Sequence, residues 1–255
     1  MTRFTAKKCL GQHFLQDRNI AQKIVSALSE SPQTVFEVGP GTGVLTELLV
    51  RQRAPKLYLV EIDNDLVSYL KKIYPSLQDR IITADFLELA LTQWCCGPMA
   101  IIGNFPYNIA SQIFFKVLAY RQQVHEVVGM VQKEVAARLI SKPGSKTYGI
   151  LSVLLQTFYD LEYLFTVGPQ VFAPPPKVQS AVVRLRRNST LQLDCDENLF
   201  FKVVKKGFQQ RRKILSNALK PLLPTTKQSL SLLTQRAEQL TVTDFVALTQ
   251  YIAWG

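Results

Sequence analysis

Asn104-Phe105-Pro106-Tyr107 follows the apolar run Met99-Ala100-Ile101-Ile102 and lies downstream of a glycine-rich turn, Gly39-Pro40-Gly41-Thr42-Gly43. An Asn-x-Pro-Tyr turn at the end of a buried strand suits the alkylation of a planar exocyclic amine. The Asn amide oxygen and the carbonyl next to the proline can accept both amine hydrogens, while the Tyr ring stacks on the base. The plainer alternative is a proline turn closing a strand, with Tyr107 as ordinary core. The surroundings decide between the two.

Glycines 39, 41 and 43, after a strand and before a helix, let the backbone turn tightly and approach a ligand closely. Nicotinamide and flavin enzymes use a similar turn, so alone it says little. Glu61 ends the second strand, 61 − 39 = 22 residues after the first glycine. A carboxylate there can accept hydrogen bonds from both hydroxyls of a ribose. Asp85, in Thr83-Ala84-Asp85-Phe86, follows the third strand and can accept from an adenine amine, with Phe86 against the ring. Singly, Glu61 also reads as a solvated strand end and Asp85 as a helix cap. Three strand ends in order, bearing glycines, an acid and an acid–aromatic pair, point to a nucleoside. A dehydrogenase fits these three features equally; the Asn104–Tyr107 turn on the fourth strand end moves the reading to S-adenosylmethionine.

The elements that must position these residues alternate short β-rich runs with helical periodicity, the pattern of a parallel sheet covered by helices. Strands are expected at 34–38, 56–61, 80–83, 100–102 and 127–131, with helices at 19–28, 44–51, 65–73 and 111–120. Pro75 stops the third helix. A loop rich in Gly, Ser, Lys and Pro spans 141–149, and strand-like residues resume at 161–167 and 178–185. Pro174-Pro175-Pro176 forms a stiff connection between those two runs. After Asn188 the chain turns to basic, amphipathic helices, which sets the expected boundary between domains 1–187 and 188–255. His125 and both tryptophans, Trp94 and Trp254, read as structural.

The chain has 255 residues, 47% of them hydrophobic, enough for one large and one small domain. Thirty Lys and Arg against nineteen Asp and Glu leave a net charge of +11, which favours a polyanionic partner. From Arg184 to Lys227 eleven basic residues face three acidic ones, 11 − 3 = +8. No apolar run approaches the roughly 20 residues of a spanning helix, and no apolar segment follows the charged N-terminus as in a signal peptide. Cys9, Cys95, Cys96 and Cys195 form no Cys-x-x-Cys pair and have no nearby His, so they read as reduced thiols of a cytoplasmic protein without a metal site.

The residues resemble the small-subunit ribosomal RNA adenine dimethyltransferase family over nearly the whole chain. The matching stretches are Gly11-Gln12-His13-Phe14-Leu15, Glu37 to Gly43, Val60 to Asp63 and Gly103 to Ile109. Further along they are Gln132 to Val135, Tyr148 to Ser152, Phe172 to Val182 and Phe208 to Lys213. The resemblance implies a Rossmann-like class I methyltransferase α/β domain, with a mostly parallel seven-stranded sheet, and a small all-α C-terminal domain. It implies S-adenosylmethionine held by Gln12, His13, Leu15, Gly39, Gly41, Glu61, Ile62, Asp85, Phe86 and Asn104. Asn104, Pro106 and Tyr107 would hold the target adenine, with Phe172 on its other face. Lys202, Lys205, Lys206, Arg211, Arg212 and Lys213 would contact RNA phosphates. The implied partner is 16S rRNA in the small ribosomal subunit, met by a monomer, and the implied reaction dimethylates two adjacent adenosines in a 3′-terminal hairpin loop. Two positions depart from the usual bacterial pattern, His13 for Asn and Phe105 for Leu; both changes are expected to leave activity intact.

Three rivals share some of these features. A macrolide-resistance enzyme methylating one large-subunit rRNA adenine has the same catalytic turn, but the triple proline before Lys177 and the 208–213 segment fit the small-subunit family better. An RNA-binding assembly or transcription factor would not need the intact cofactor positions. A nicotinamide dehydrogenase would need a proton-transfer set, which the chain lacks, and would leave the basic tail unexplained.

Overall fold

The computed structural model describes residues 4–29, 34–52, 56–223 and 230–254, so Lys227 of the basic stretch lies outside the described residues. In chain order the elements are β1 (Phe14–Leu15), α1 (Arg18–Val25), β2 (Thr34–Val38), α2 (Val44–Arg51), β3 (Lys56–Glu61) and α3 (Asn64–Ile73). Next come β4 (Ile81–Thr83), β5 (Met99–Asn104), α4 (Ala110–Ala119), β6 (Val124–Gln132), α5 (Lys133–Leu139) and α6 (Ile150–Phe158). The chain closes with β7 (Tyr159–Val167), β8 (Phe172–Ala173), β9 (Ser180–Arg187), α7 (Glu197–Gln209), α8 (Leu215–Ala218) and α9 (Val242–Trp254).

Seven strands form one sheet in the order β4-β3-β2-β5-β6-β9-β7. The pairs β2–β3, β2–β5, β3–β4 and β5–β6 are parallel, and β9 runs antiparallel to β6. Every residue of β2 is buried, as expected of a strand covered by helices on both faces. Ala21 and Ile24 of α1, Leu45 and Leu49 of α2 and Leu70 of α3 pack with Val35, Leu59 and Ile102 of the sheet. The strand order reverses between β2 and β5, and such a switch point opens a crevice at the carboxyl ends of the strands.

Helix starts follow their caps. The Asp17 carboxylate accepts from the backbone N–H groups of Asn19 and Ile20, and Asp63 accepts from Asp65. Helix α3 stops at Tyr74, before Pro75, and Arg80, expected to open the next strand, instead ends a 3-10 turn, Pro75–Arg80. Outside the sheet, β1 pairs antiparallel with β8, placing Leu15 opposite Phe172.

By packing, the chain divides into two compact units. The first comprises Met1–Ala136 and Leu161–Arg187 and holds the strand order above. The second comprises Ala137–Asp160 and Asn188–Gly255. The break after Arg187 coincides with the composition shift, but residues 137–160 cluster with the C-terminal helices because α6 packs on α7 and α9. Phe158 stacks on Phe201 at 6.2 Å and Phe208 on Phe245 at 6.0 Å within that second unit. Trp94 packs edge-on to Tyr58, as a structural residue should, and His125 lies exposed within β6 rather than ahead of it. Trp254 corrects the expectation of packing: it is 89% exposed at the last turn of α9.

Candidate active site

The carboxyl ends of β2, β3, β4 and β5 open into one cleft, closed on a further side by the segment entering β1. Gln12, His13, Gly39, Gly41, Glu61, Ile62, Asp85, Phe86 and Asn104 all line it, together with Pro106 and Tyr107. Residues more than ninety positions apart meet here because parallel strands deliver their ends to one edge of the sheet.

After β2 the chain needs left-handed backbone at Gly39 (φ 65°), Gly41 (φ 57°) and Gly43 (φ 85°), conformations that other residues adopt only with strain. A Cβ on Gly41 would also press within 3.1 Å of the Phe14 ring. This turn brings the Gly41 N–H to Glu61 Oε2 at 3.2 Å, while Glu61 Oε1 accepts from the N–H groups of Ile62 and Asp63, both at 3.0 Å. The Glu61 carboxyl is 5% exposed; burial raises its pKa, and the three backbone donors oppose the rise. Oε1 already takes two of these bonds, so Oε2, with a single longer one, is the oxygen still open to a ribose hydroxyl while the carboxylate stays fixed. At the neighbouring strand end, Asp85 Oδ1 accepts from the Leu87 N–H at 2.8 Å, leaving Oδ2 for an amine, and Phe86 is 3% exposed against the cleft wall. The cradle and the acceptor set fit an adenine nucleoside.

Asn104 donates through Nδ2 to the His13 carbonyl at 2.8 Å, so the acceptor Oδ1 is the amide atom left for a ligand. The Pro106 carbonyl already accepts from the Ile109 N–H at 3.1 Å, which seats the turn on the start of α4 and leaves one lone pair. The Tyr107 hydroxyl lies 2.5 Å from Ser180 Oγ, and its ring sits 5.5 Å from that of His13. Burial pushes the Tyr107 phenol pKa up, against the hydrogen bond to Ser180. Beneath the turn, the Phe105 ring is 1% exposed and fills a slot bounded by two glycines. A Cβ at Gly129 would come within 2.4 Å of the ring, and one at Gly103 within 2.4 Å of the Val38 carbonyl.

Two expected site residues are not brought to the cleft. Leu15 and Phe172 are each 4% exposed and packed into the core, facing one another across the β1–β8 ladder. His13 is present, but its Nδ1 is engaged with the Pro174 carbonyl at 2.8 Å. A carbonyl only accepts, so Nδ1 carries the proton and Nε2 is the ring nitrogen left for a ligand. Of the basic residues, Lys202 and Lys205 are exposed on α7, whose opposite face buries Phe200, Val203 and Val204; Lys206 is half-buried. Arg211, Arg212 and Lys213 are exposed in the following turn, where Arg211 also donates to the Lys146 carbonyl and lies 3.9 Å from Glu238.

Sequence reasoning missed Gly11, Phe14 and Asn108, which line the cleft, and Ser180, which tethers Tyr107. Gly11 has φ 64°, and a Cβ there would meet the Asn108 amide at 2.8 Å. The motifs contained all four, but only the fold shows whom they touch. Among the described residues, no group of three or more His, Cys, Asp and Glu side chains could hold a metal ion, and no helix is long and apolar enough to cross a membrane.

Residues 3–253 match the family model described as Ribosomal RNA adenine dimethylase. A protein of Cytophaga hutchinsonii named Ribosomal RNA small subunit methyltransferase A is 54% identical over 256 residues, covering 99% of each chain. One of Flavobacterium johnsoniae with the same name is 51% identical over 99% of this chain and 97% of its own. Among solved structures, a dimethyladenosine transferase from Plasmodium falciparum superposes with a TM-score of 0.80 at 24% identity, covering 95% of this chain and 98% of that one. The 23S rRNA methyltransferase ErmE superposes with a TM-score of 0.68 at 25% identity, over 93% and 99%. With its strand-end cleft and this match along its length, the chain belongs to the ribosomal RNA adenine dimethylase family.

Proposed function

We propose that this protein is a cytoplasmic, monomeric S-adenosylmethionine-dependent enzyme that dimethylates N6 of two adjacent adenosines in a 3′-terminal hairpin loop of small-subunit rRNA. One observation carries the reading. Asn104 spends its amide donor on the His13 carbonyl and keeps its acceptor, in the same cleft as the nucleoside-type acceptors Glu61 and Asp85. The fold does not separate this from large-subunit methylation, since ErmE shares it. Relatives named for the small subunit are twice as similar in sequence, which favours the small-subunit substrate.

S-adenosylmethionine supplies an electrophilic methyl group on a sulfonium. Glu61 Oε2 would accept from a ribose hydroxyl and Asp85 Oδ2 from the adenine amine of that cofactor, with Ile62 and Phe86 placed to line its ring. Asn104 Oδ1 and the Pro106 carbonyl accept the hydrogens of the target amine. These bonds localise a lone pair otherwise delocalised into the ring and aim it along the cleft. The bound cofactor would supply the methyl electrophile that the aligned amine takes up, and the methylated amine would release a proton to water. Positioning of this kind contributes roughly 7–11 kcal/mol in well-oriented reactions, and the oriented carbonyls add electrostatic stabilisation. A neutral Asn suits two rounds, because the monomethylated amine has one hydrogen left to donate.

The target base must leave its stack, at a cost of a few kcal/mol, and stacking on Tyr107 offsets roughly 1–3 kcal/mol of it. The Ser180 hydroxyl holds that ring in place. Phosphate contacts by Lys202, Lys205, Lys206, Arg211, Arg212 and Lys213, in the helical segment 188–255, supply salt-dependent affinity to a chain whose catalytic residues all fall in 1–187.

The test is transfer of labelled methyl groups into small subunits lacking the modification, with large subunits in parallel. Two methyl groups on each of two adenosines, lost on Asn104→Ala, is the expected result. Label confined to large-subunit RNA would establish the rival enzyme class, and salt-sensitive binding without label a non-catalytic assembly factor.

A further inference from the structure

We propose that Lys116, a residue outside the cleft, is the positioning residue that sets adenine selectivity at the cofactor end of the site, by pinning the 85–89 turn from behind. This rests on the reading of the cleft as an S-adenosylmethionine site.

The turn after β4 is closed on itself by Asp85. The Leu87 N–H donates to Asp85 Oδ1, and the N–H groups of Glu88 and Leu89 donate to the Asp85 carbonyl at 3.1 Å. These bonds use one carboxylate oxygen and turn the carbonyls of Leu87 and Leu89 outward. A single ammonium collects both: Lys116 Nζ lies 2.8 Å from the Leu87 oxygen and 2.5 Å from the Leu89 oxygen. The same nitrogen sits 5.4 Å from the Phe86 ring centroid and 5.5 Å from that of Tyr120, so a cation is held between two aromatic rings. Phe86 is the cleft-wall residue and Asp85 the amine acceptor, and both hang from the turn that Lys116 closes.

A half-buried ammonium is a costly way to satisfy two carbonyls unless their position matters. Burial lowers the Lys116 pKa, and the nearby carboxylates of Glu88 and Asp85 oppose the drop. Helix α4, which carries Lys116 in its last turn, starts at the other end from the Asn104–Tyr107 turn, where the Ile109 N–H binds the Pro106 carbonyl. One helix thus anchors the turn for the target amine and the turn for the cofactor's adenine. If Asp85 Oδ2 is to read a 6-amino group, the turn must hold it to within a few tenths of an ångström. Lys116 does this without touching a ligand.

The experiment measures dissociation constants of S-adenosylhomocysteine and of its deaminated analogue, S-inosylhomocysteine, by calorimetry on the full chain. Wild type is expected to prefer the adenine form, and Lys116→Met to bind it roughly tenfold more weakly. That loss should narrow the adenine-to-hypoxanthine ratio toward one, and Lys116→Arg should restore most of the preference. A general loss of stability would weaken both ligands alike and leave the ratio standing, an outcome that overturns the proposal. Unchanged affinity and ratio in folded Lys116→Met would overturn it too. Should that variant not fold, Lys116→Gln, whose amide is one bond shorter than the lysine ammonium and carries no charge, serves in its place; an undiminished ratio there is equally fatal. Wild-type chain that binds neither compound would remove the cofactor reading itself, which separates that failure from this one.

Discussion

Asn104 and Glu37 illustrate how much a single side chain's environment decides. The Asn104 amide is oriented by one bond to a carbonyl ninety-one residues earlier, so its acceptor is fixed before any substrate arrives. Asn104→Ala is expected to lower methyl transfer on the order of 10²–10³-fold, the range found when one preorganised polar group is removed from an active site; single-turnover assays would check it. Glu37 lies under the glycine turn, 1% exposed, with Oε2 accepting from the Thr46 hydroxyl at 2.7 Å and Oε1 without a partner among the described residues. Burial, with a contribution from the Glu61 charge, pushes its pKa from 4.5 to about 8. A folded-state value raised above the unfolded one means the fold binds the extra proton. Its stabilising contribution is complete below pH 4.5 and is lost as the pH rises through about 8. Glu37→Gln keeps an acceptor for Thr46 and removes the titration. Its unfolding temperature should therefore vary less between pH 5 and 8 than that of the wild type, and at pH 8 the variant should be the more stable. An unchanged pH slope in calorimetry would show that Glu37 is ionised throughout.

At the scale of elements, strands β2 to β6 and the helices between them were readable, because each short apolar run is bounded by a glycine turn, a cap or a proline. The β1–β8 ladder was not. Two-residue strands carry no periodicity, and their pairing depends on a chain separation of about 160 residues. Helix α6 was missed for a different reason. Ile150–Phe158 is buried almost all round, so it lacks the polar face that marks a helix in sequence. The slot under the catalytic turn also belongs at this scale, since β5 and β6 supply the two glycines that admit the larger Phe105. Gly129→Ala should overpack it, costing roughly 1–3 kcal/mol and displacing Asn104 enough to slow methyl transfer. Adding Phe105→Leu should recover most of both losses. A double variant no better than Gly129→Ala, by thermal unfolding and activity, would contradict the slot.

For the whole molecule, charge decides how the chain meets its partner. Neutralising Lys202, Lys206 and Lys213 together with Gln should weaken rRNA binding and reduce the slope of log affinity against log salt by about 0.7 per lost single-strand phosphate contact. Binding of S-adenosylhomocysteine should not change, and filter binding across a salt series beside calorimetry would show both. The sequence alone determined the order of strand ends, the glycine turn with its acids, the amine-binding turn and the basic C-terminal third, because local patterns of burial, turn chemistry and charge are written residue by residue. Tertiary structure alone decided that Leu15 and Phe172 face each other in the core, that His13 holds Asn104 through its backbone, and that residues 137–160 pack with the C-terminal helices. It also decided that Lys116 and Ser180, silent in the sequence, support the two turns of the site. Such contacts join residues distant along the chain, and no local pattern encodes which of two buried surfaces will meet.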